Sequence, residues 1–485
     1  MKKITTFACA LLCSICTIMA QETPTGVLMN LYASDMAQPK AISENGKWAC
    51  GSAFWSGNQN EVGAVNASKW NLETGERIYL QESETELSDA LCINNDGTLI
   101  GGSYLNAPAY NLNGEWIALP LPKRTGFNGQ VIGGEVTNLA IVDTDTIFVG
   151  WYYSQTEGKI IRWINGEIDD NFKYRNYTRY TEIMGDTILA EMETVRGMST
   201  DGERILISLD HSLLPSASSN NLPTTLVQMG DSSVVIERSI KGYDMVSFID
   251  FAAMSHNGKF VCGNIYGVPL ETSDAQESTL SFSYDVDNDI FTTYGFIEQT
   301  QRFAGASFVD NEGHVYFKSI NGNNPLGKPY IYKNGEYIEL ERCLLAYDGI
   351  TAEQIDEIAE EVAGSDADDL GIVWAVSGDG KTLIGAGDAL KGNIWCAKLS
   401  CSPYDVDPVV AVENITYDNL AAYYANGAIT IKGDAEMIEV YSITGAKVIS
   451  QVVENSTIKA DLRNGIYVVK VYNGNNVATS KIIVK

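Results

Sequence analysis

The chain has 485 residues, of which 62 are acidic and 33 basic, giving a formal net charge of −29. So acidic a surface repels nucleic acid and anionic membrane at long range, which argues against both as partners. The length admits two or more cores or one large repeat array, and beyond the first twenty residues no stretch is long and apolar enough to span a bilayer.

Residues 1–20 read as a secretory signal peptide. Lys2 and Lys3 precede an apolar run from Ile4 to Met19, and Ala20 closes it before Gln21-Glu22-Thr23-Pro24. Neither Cys13 nor Cys16 follows a small residue, which argues against a lipoprotein anchor. Cys50, Cys92, Cys262, Cys343, Cys396 and Cys401 remain after the signal. They read as small buried apolar residues, not as a disulfide framework, with Cys396 and Cys401 the one pair open to bridging.

Residues 21–400 repeat one pattern: a small residue, a polar turn with Gly, then a β-rich run. It occurs as "AISENGKWACG" (41–51), "CINNDGTLIGG" (92–102), "GMSTDGERILI" (197–207), "AMSHNGKFVCG" (253–263), "SFVDNEGHVYF" (307–317) and "AVSGDGKTLIG" (375–385). One double step hides a further copy at 140–153, with Asp145-Thr146 in place of the Gly turn. A second hairpin follows in most units, as in "KWNLETGERIYL" (69–80) and "IYKNGEYIEL" (331–340). Asx-Gly favours tight hairpins because both central residues need positive φ. Two hairpins make a four-stranded blade with two apolar faces, which only a ring of blades can bury. The expectation is therefore all-β: a seven-bladed β-propeller with Ala41, Gly197, Ala253 and Ala375 on crowded inner strands.

One stretch departs from this rhythm. "TAEQIDEIAEEVAG" starts with a Thr351/Gln354 capping box and carries apolar residues at helical spacing, which predicts a helix near 351–363, on a propeller face. Residues 401–413, "CSPYDVDPVVAVE", read as a linker. Residues 414–485 then alternate strands and Gly turns, which predicts a small Ig-like β-sandwich.

Two resemblances attach to these stretches. "ISENGKWACGSAF…ASKWNLETG" and residues 342–399 resemble the HAF-type extracellular repeat, which implies a propeller-like fold and no particular activity. "IEVYSITGAKV" (438–448), "ADLRNGIYVVKV" (460–471) and "SKIIVK" (480–485) resemble the C-terminal sorting domain of type IX secretion cargo in Bacteroidota. The second resemblance implies the outer-membrane secretion machinery as a partner. It also implies a secreted or surface-displayed product, with the tail cleaved and the product anchored or released.

Motifs for chemistry are sparse. His211, His256 and His314 are the three histidines, and the last two fall in or beside Gly turns, which places them at solvated tips. No metal spacing, nucleophile elbow or cofactor fingerprint occurs. "GNNPLGKP" (322–329) mimics a P-loop but ends in Pro329 where a hydroxyl is needed. Asp285, Asp287 and Asp289 alternate like half a calcium loop, yet Ile290 and Phe296 occupy the Gly and Glu positions, so a hairpin turn is the simpler reading. Trp55, in the loop 53–66, and Tyr174, Arg175 and Arg179, in the basic aromatic run 172–180, are the candidates for gripping a glycan or protein ligand. The expectation is a non-enzymatic binding or scaffold module. The alternative is a glycan-active enzyme with carboxylates on one rim.

Overall fold

The computed structural model describes residues 23–484, except 32–36, 56–63, 84, 123–130, 154–156, 175–179, 184–185, 190, 210–224, 237–242, 270–277, 296–302, 321–327, 362–369, 387–393, 410–420, 426, 434, 443–445, 454, 461 and 474–475. The chain divides into two compact units, Met1–Pro408 and Val409–Lys485.

In the first unit the described residues form seven four-stranded antiparallel blades. Their innermost strands are Gln38–Ile42, Ser88–Ile93, Gly133–Val142, Glu191–Met198, Tyr243–Met254, Phe303–Val309 and Ile372–Val376. Each packs on strands of the next blade, and the last on the first, so the ring is closed. Blade seven is composite: its outermost strand is Gly26–Asn30 from the start of the chain, paired from Gly26↔Leu399 to Asn30↔Trp395. Blades three and four are further stitched by a parallel contact, Glu157↔Glu191 and Gly158↔Met192.

The repeated turn has a physical basis in each residue. Its first residue is buried and caps the turn from below: Ser43 Oγ accepts from Trp48 N, Asn94 Oδ1 from Leu99 N, Ser255 Oγ from Phe260 N and Ser377 Oγ from Thr382 N. Two residues on, Asn45, Asp96, Asn257 and Asp379 accept from a backbone N–H two positions ahead, an Asx turn. Adjacent turns are also bonded to each other. Asn45 donates to the Asn95 carbonyl, Thr200 N to His256 O, Asn257 to the Asn311 carbonyl, Asn311 N to Gly378 O and Gly378 N to Glu44 O. This collar runs from blade four through seven to blade two. Blade three has a tighter turn, with Asp143 at φ 55, two residues before the expected Asp145-Thr146, and Asp145 already begins a strand.

Between blades six and seven lie two helices, α1 (Leu340–Leu344) and α2 (Ala352–Glu361). The capping box is reciprocal: Thr351 N donates to Gln354 Oε1 at 2.9 Å and Gln354 N to Thr351 Oγ1 at 3.2 Å. The expected place on a propeller face is corrected. Helix α1 packs on the outer strands of blade six and α2 on Gly26–Asn30, so the insert fills the periphery, with Ile355 and Ile358 buried. The expected linker 401–413 also begins as ordered chain. Pro403–Asp405 forms a 3-10 turn, Lys333 Nζ donates to Val406 O, and Tyr404 OH bonds Val315 O on blade six. Cys396 and Cys401 are not bridged, and all six described cysteines are free thiols, five of them buried.

The second unit is two antiparallel sheets on one core. One holds Ala421–Ala425, Ala428–Lys432 and Thr457–Lys459. The other runs Lys447–Val452, Met437–Ser442, Gly465–Asn473, Asn476–Val484. Ile429, Ile431 and Ile458 from the first meet Ile438, Val440, Val469 and Val471 from the second.

Candidate binding channel

The inner strands line a central cavity of about 750 Å³ that opens among the Gly turns of blades one, two, four and five. Its chemistry is set by a pairing irregularity. Every inner strand carries a β-bulge at the same place before its turn, leaving Lys40, Leu91, Thr137, Arg196, Phe251 with Ala252, Ser307 and Trp374 unpaired on blades one to seven. A bulge re-aims its side chain, and Lys40, Leu91, Thr137 and Arg196 all line the cavity. The second Gly of the repeat lies opposite: a Cβ on Gly102 would meet Asp89 O at 1.8 Å.

Charge concentrates beside the bulges of blades one to four. Lys40 Nζ pairs with an Asp89 carboxylate oxygen across blades one and two, while Asp89 Oδ1 is buried with no hydrogen-bond partner. Glu135, at the same register on blade three, accepts from Trp151 Nε1 at 2.7 Å. Burial pushes the Glu135 carboxyl up, the Trp151 bond opposes this, and the Asp89 charge adds to the rise. Arg196 is exposed, close enough to act on Glu135 through its charge. Asn138 lines the same cavity, and its Oδ1 is buried without a partner.

His256 is not a solvated tip. Its ring lines the cavity, lies 6.2 Å from Phe308 and bonds Val376 O at 3.1 Å through Nε2, reaching from blade five to blade seven. Burial lowers its pKa. His314 is half-buried too, stacked 4.2 Å from Tyr404 and bonded through Nδ1 to the fully buried Asp310 at 3.1 Å. Burial opposes its protonation, but Asp310, Asp405 and Glu312 together raise its pKa.

Of the four ligand candidates singled out in sequence, Tyr174 alone has a described side chain, and it does not line this cavity. Trp55 is the last residue of the strand Trp48–Trp55, opposite Ala64, not a loop residue, and its side chain lies outside the described residues. Tyr174 is half-buried, 5.7 Å from Phe172, against the core between blades three and four, outside any strand. Arg175 and Arg179 lie outside the described residues, as do His211 and most of the P-loop look-alike. Asp285, Asp287 and Asp289 occupy a hairpin turn, each committed elsewhere. Asp285 accepts from Asn288, Asp287 pairs with Arg204 at 2.6 Å, and Asp289 accepts from Tyr284 OH at 2.7 Å. Among the described residues no group of three His, Cys, Asp or Glu is placed to hold a metal ion.

Comparison with known proteins bears on the tail. The family model of the secretion system C-terminal sorting domain matches residues 425–485. Those residues are a sorting domain. The chain is therefore exported by type IX secretion, to the cell surface or beyond it, and the sorting domain is its contact with that machinery. Among the described residues no helix is long and apolar enough to cross a membrane. The sorting domain carries one polar cluster on its four-stranded sheet: Tyr441 OH and Tyr472 OH donate to Glu439 Oε2 at 2.6 and 2.7 Å, and Lys447 pairs with the other oxygen. The Lys447, Tyr441 and Tyr472 bonds hold the Glu439 carboxyl at about 2, well below the ordinary 4.5. A depressed carboxyl stabilises the fold above its unfolded value and loses that contribution as pH falls through its folded value. The urea midpoint of the sorting-domain transition should therefore exceed that of Glu439→Gln at pH 6, and the gap should close as pH drops from about 4.5 towards 2. A gap independent of pH would refute this ionised cluster.

Solved structures resemble the propeller at the level of fold. Oligogalacturonate lyase in complex with manganese aligns at 9% identity over 77% of this chain and 93% of its own, with a TM-score of 0.45. The β-propeller domain of the Trilobed protease from Pyrococcus furiosus aligns at 12% over 80% and 98%, TM-score 0.39. PorZ, a surface component of the type IX secretion system of Porphyromonas gingivalis, aligns at 12% over 92% of this chain but only 59% of its own, TM-score 0.37. No curated protein matches the chain.

Proposed function

We propose that this exported chain is a surface-displayed or released binding module of the Bacteroidota type, built on extracellular repeats, and that its ligand enters the central channel. The observation that carries this is the charged set Lys40, Asp89, Glu135 and Arg196 beside bulges on four adjacent inner strands. A channel that only had to be filled would favour small apolar side chains, because burying charge costs stability unless it is paired. Trp55, Tyr174, Arg175 and Arg179 enter this reading as secondary contacts for the ligand. Glycan and peptide arrays probed with the mature chain test the proposal. Ligands retained by the wild type should be lost from the double variant Lys40→Ala/Arg196→Ala while its near-UV circular dichroism stays native; undiminished capture by that variant would refute it.

A second reading, a glycan-active enzyme, has one observation in its favour. Asp89 and Glu135 hold the same register on neighbouring inner strands, one paired with Lys40 and the other pushed towards its protonated form. That division suits a base and an acid flanking a glycosidic bond. Release of reducing ends from array ligands, abolished in Glu135→Gln, would favour this reading over binding alone.

A further inference from the structure

The structure assigns the channel a ligand class: we infer a neutral, polyhydroxylated ligand, a short uncharged glycan or glycan end, held by Arg196, Lys40 and Asn138 with its apolar face on Phe308. This rests on the channel being the binding site.

An anionic ligand would meet Glu44 and Asp96, both on the cavity wall. A cationic ligand would meet Lys40 and Arg196, both on the cavity wall. The four charged side chains on the wall, two of each sign, cancel, so neither sign of net charge is favoured. What the wall does offer is donors and acceptors together. Arg196 and Lys40 donate, while Asn138 Oδ1 is a buried acceptor with no partner. An unmade bond to such a buried acceptor costs about 1–3 kcal/mol. A sugar hydroxyl both donates and accepts, so vicinal hydroxyls satisfy both kinds of group where a carboxylate or an ammonium satisfies one. Phe308 on blade six and the His256 ring, 6.2 Å apart, supply an aromatic stretch of the cavity wall. The volume, about 750 Å³, lies in the ordinary range for small ligands and excludes a folded partner.

The test is isothermal titration of the mature chain with three disaccharide probes: neutral cellobiose, a diuronic acid and a diglucosamine. Cellobiose should bind at least tenfold tighter than either charged probe, with an affinity unchanged between 50 and 500 mM salt, since no net charge is paired. Arg196→Gln and Asn138→Leu should each weaken it about tenfold, the loss of one hydrogen bond to a buried or charged group. Near-UV circular dichroism verifies the fold of each variant, and Phe308→Leu, a milder change, gives a second readout. Preference for a charged probe would overturn the ligand class and leave the channel standing. Cellobiose binding indifferent to all three substitutions would overturn the channel itself. Absence of binding by every probe would overturn the inference, while array ligands lost on Lys40→Ala/Arg196→Ala would still support the binding module.

Discussion

Deleting residues 26–30 is expected to destabilise the whole propeller, not merely to loosen its edge. Those five residues are the outer strand of the last blade, in register with Trp395 to Leu399. Removing them exposes a hydrogen-bonding edge and uncovers Leu28, which is 6% exposed and sits in the core shared with α1, α2 and Trp395. Lost apolar burial of ~1.5–3 kcal/mol and a few net hydrogen bonds of ~1 kcal/mol each sum to on the order of 5 kcal/mol. That is comparable with the whole stability of a typical domain. The melting temperature should fall by roughly 10 °C or more. Val27, on the same strand but 55% exposed, provides the control, and Val27→Ala should change stability by less than about 0.5 kcal/mol. Equal behaviour of the deletion and the wild type would mean that the ring is closed by something other than this strand.

Gly97→Val is expected to cost about 3 kcal/mol, and most of that cost should come from the neighbouring blade. Gly97 lies at φ +73, and a Cβ there would come within 2.4 Å of the Trp48 ring on blade one. Its carbonyl is meanwhile held by Lys69 Nζ at 2.7 Å. Left-handed backbone costs ~1–2 kcal/mol for a side chain, and overpacking adds ~1–3. Gly114 separates the two, since it lies at φ +97 and a Cβ there would find nothing within 4 Å. Gly114→Val should therefore lose only the backbone part, about 1–2 kcal/mol. Urea midpoints of the two variants decide the matter. Identical losses would show that the repeat glycines serve the turn alone and not the seat between blades.

The sequence displayed the blades because their signal is local. Ser-x-Asn-Gly and Asn-x-Asp-Gly satisfy their own turn within six residues, so the pattern survives without any knowledge of the ring. Blade three was legible only by its spacing, because Asp143 replaces the glycine. The first strand was not legible as part of blade seven, since nothing in Gly26–Asn30 points to a partner nearly four hundred residues away. The channel was hidden for a different reason. A bulge is a property of strand pairing, not of composition, so Lys40 and Arg196 looked like ordinary polar strand residues. The one usable signal was positional: both stand at the same distance before a repeat glycine. His256 was misplaced because a turn tip on an isolated hairpin is solvated, whereas a turn tip at the axis of a ring faces the other blades.

The buried thiols set a condition on how this protein is made. Burial pushes the Cys262, Cys343 and Cys396 thiols up to about 12, so the reactive thiolate is scarce in the folded state. The unfolded chain has no such shelter, and an exported polypeptide passes through compartments where disulfides form. Correct folding must therefore outrun oxidation. A chain that closes its ring first shelters five buried thiols, whereas a late one exposes them all to crosslinks that its native state does not contain.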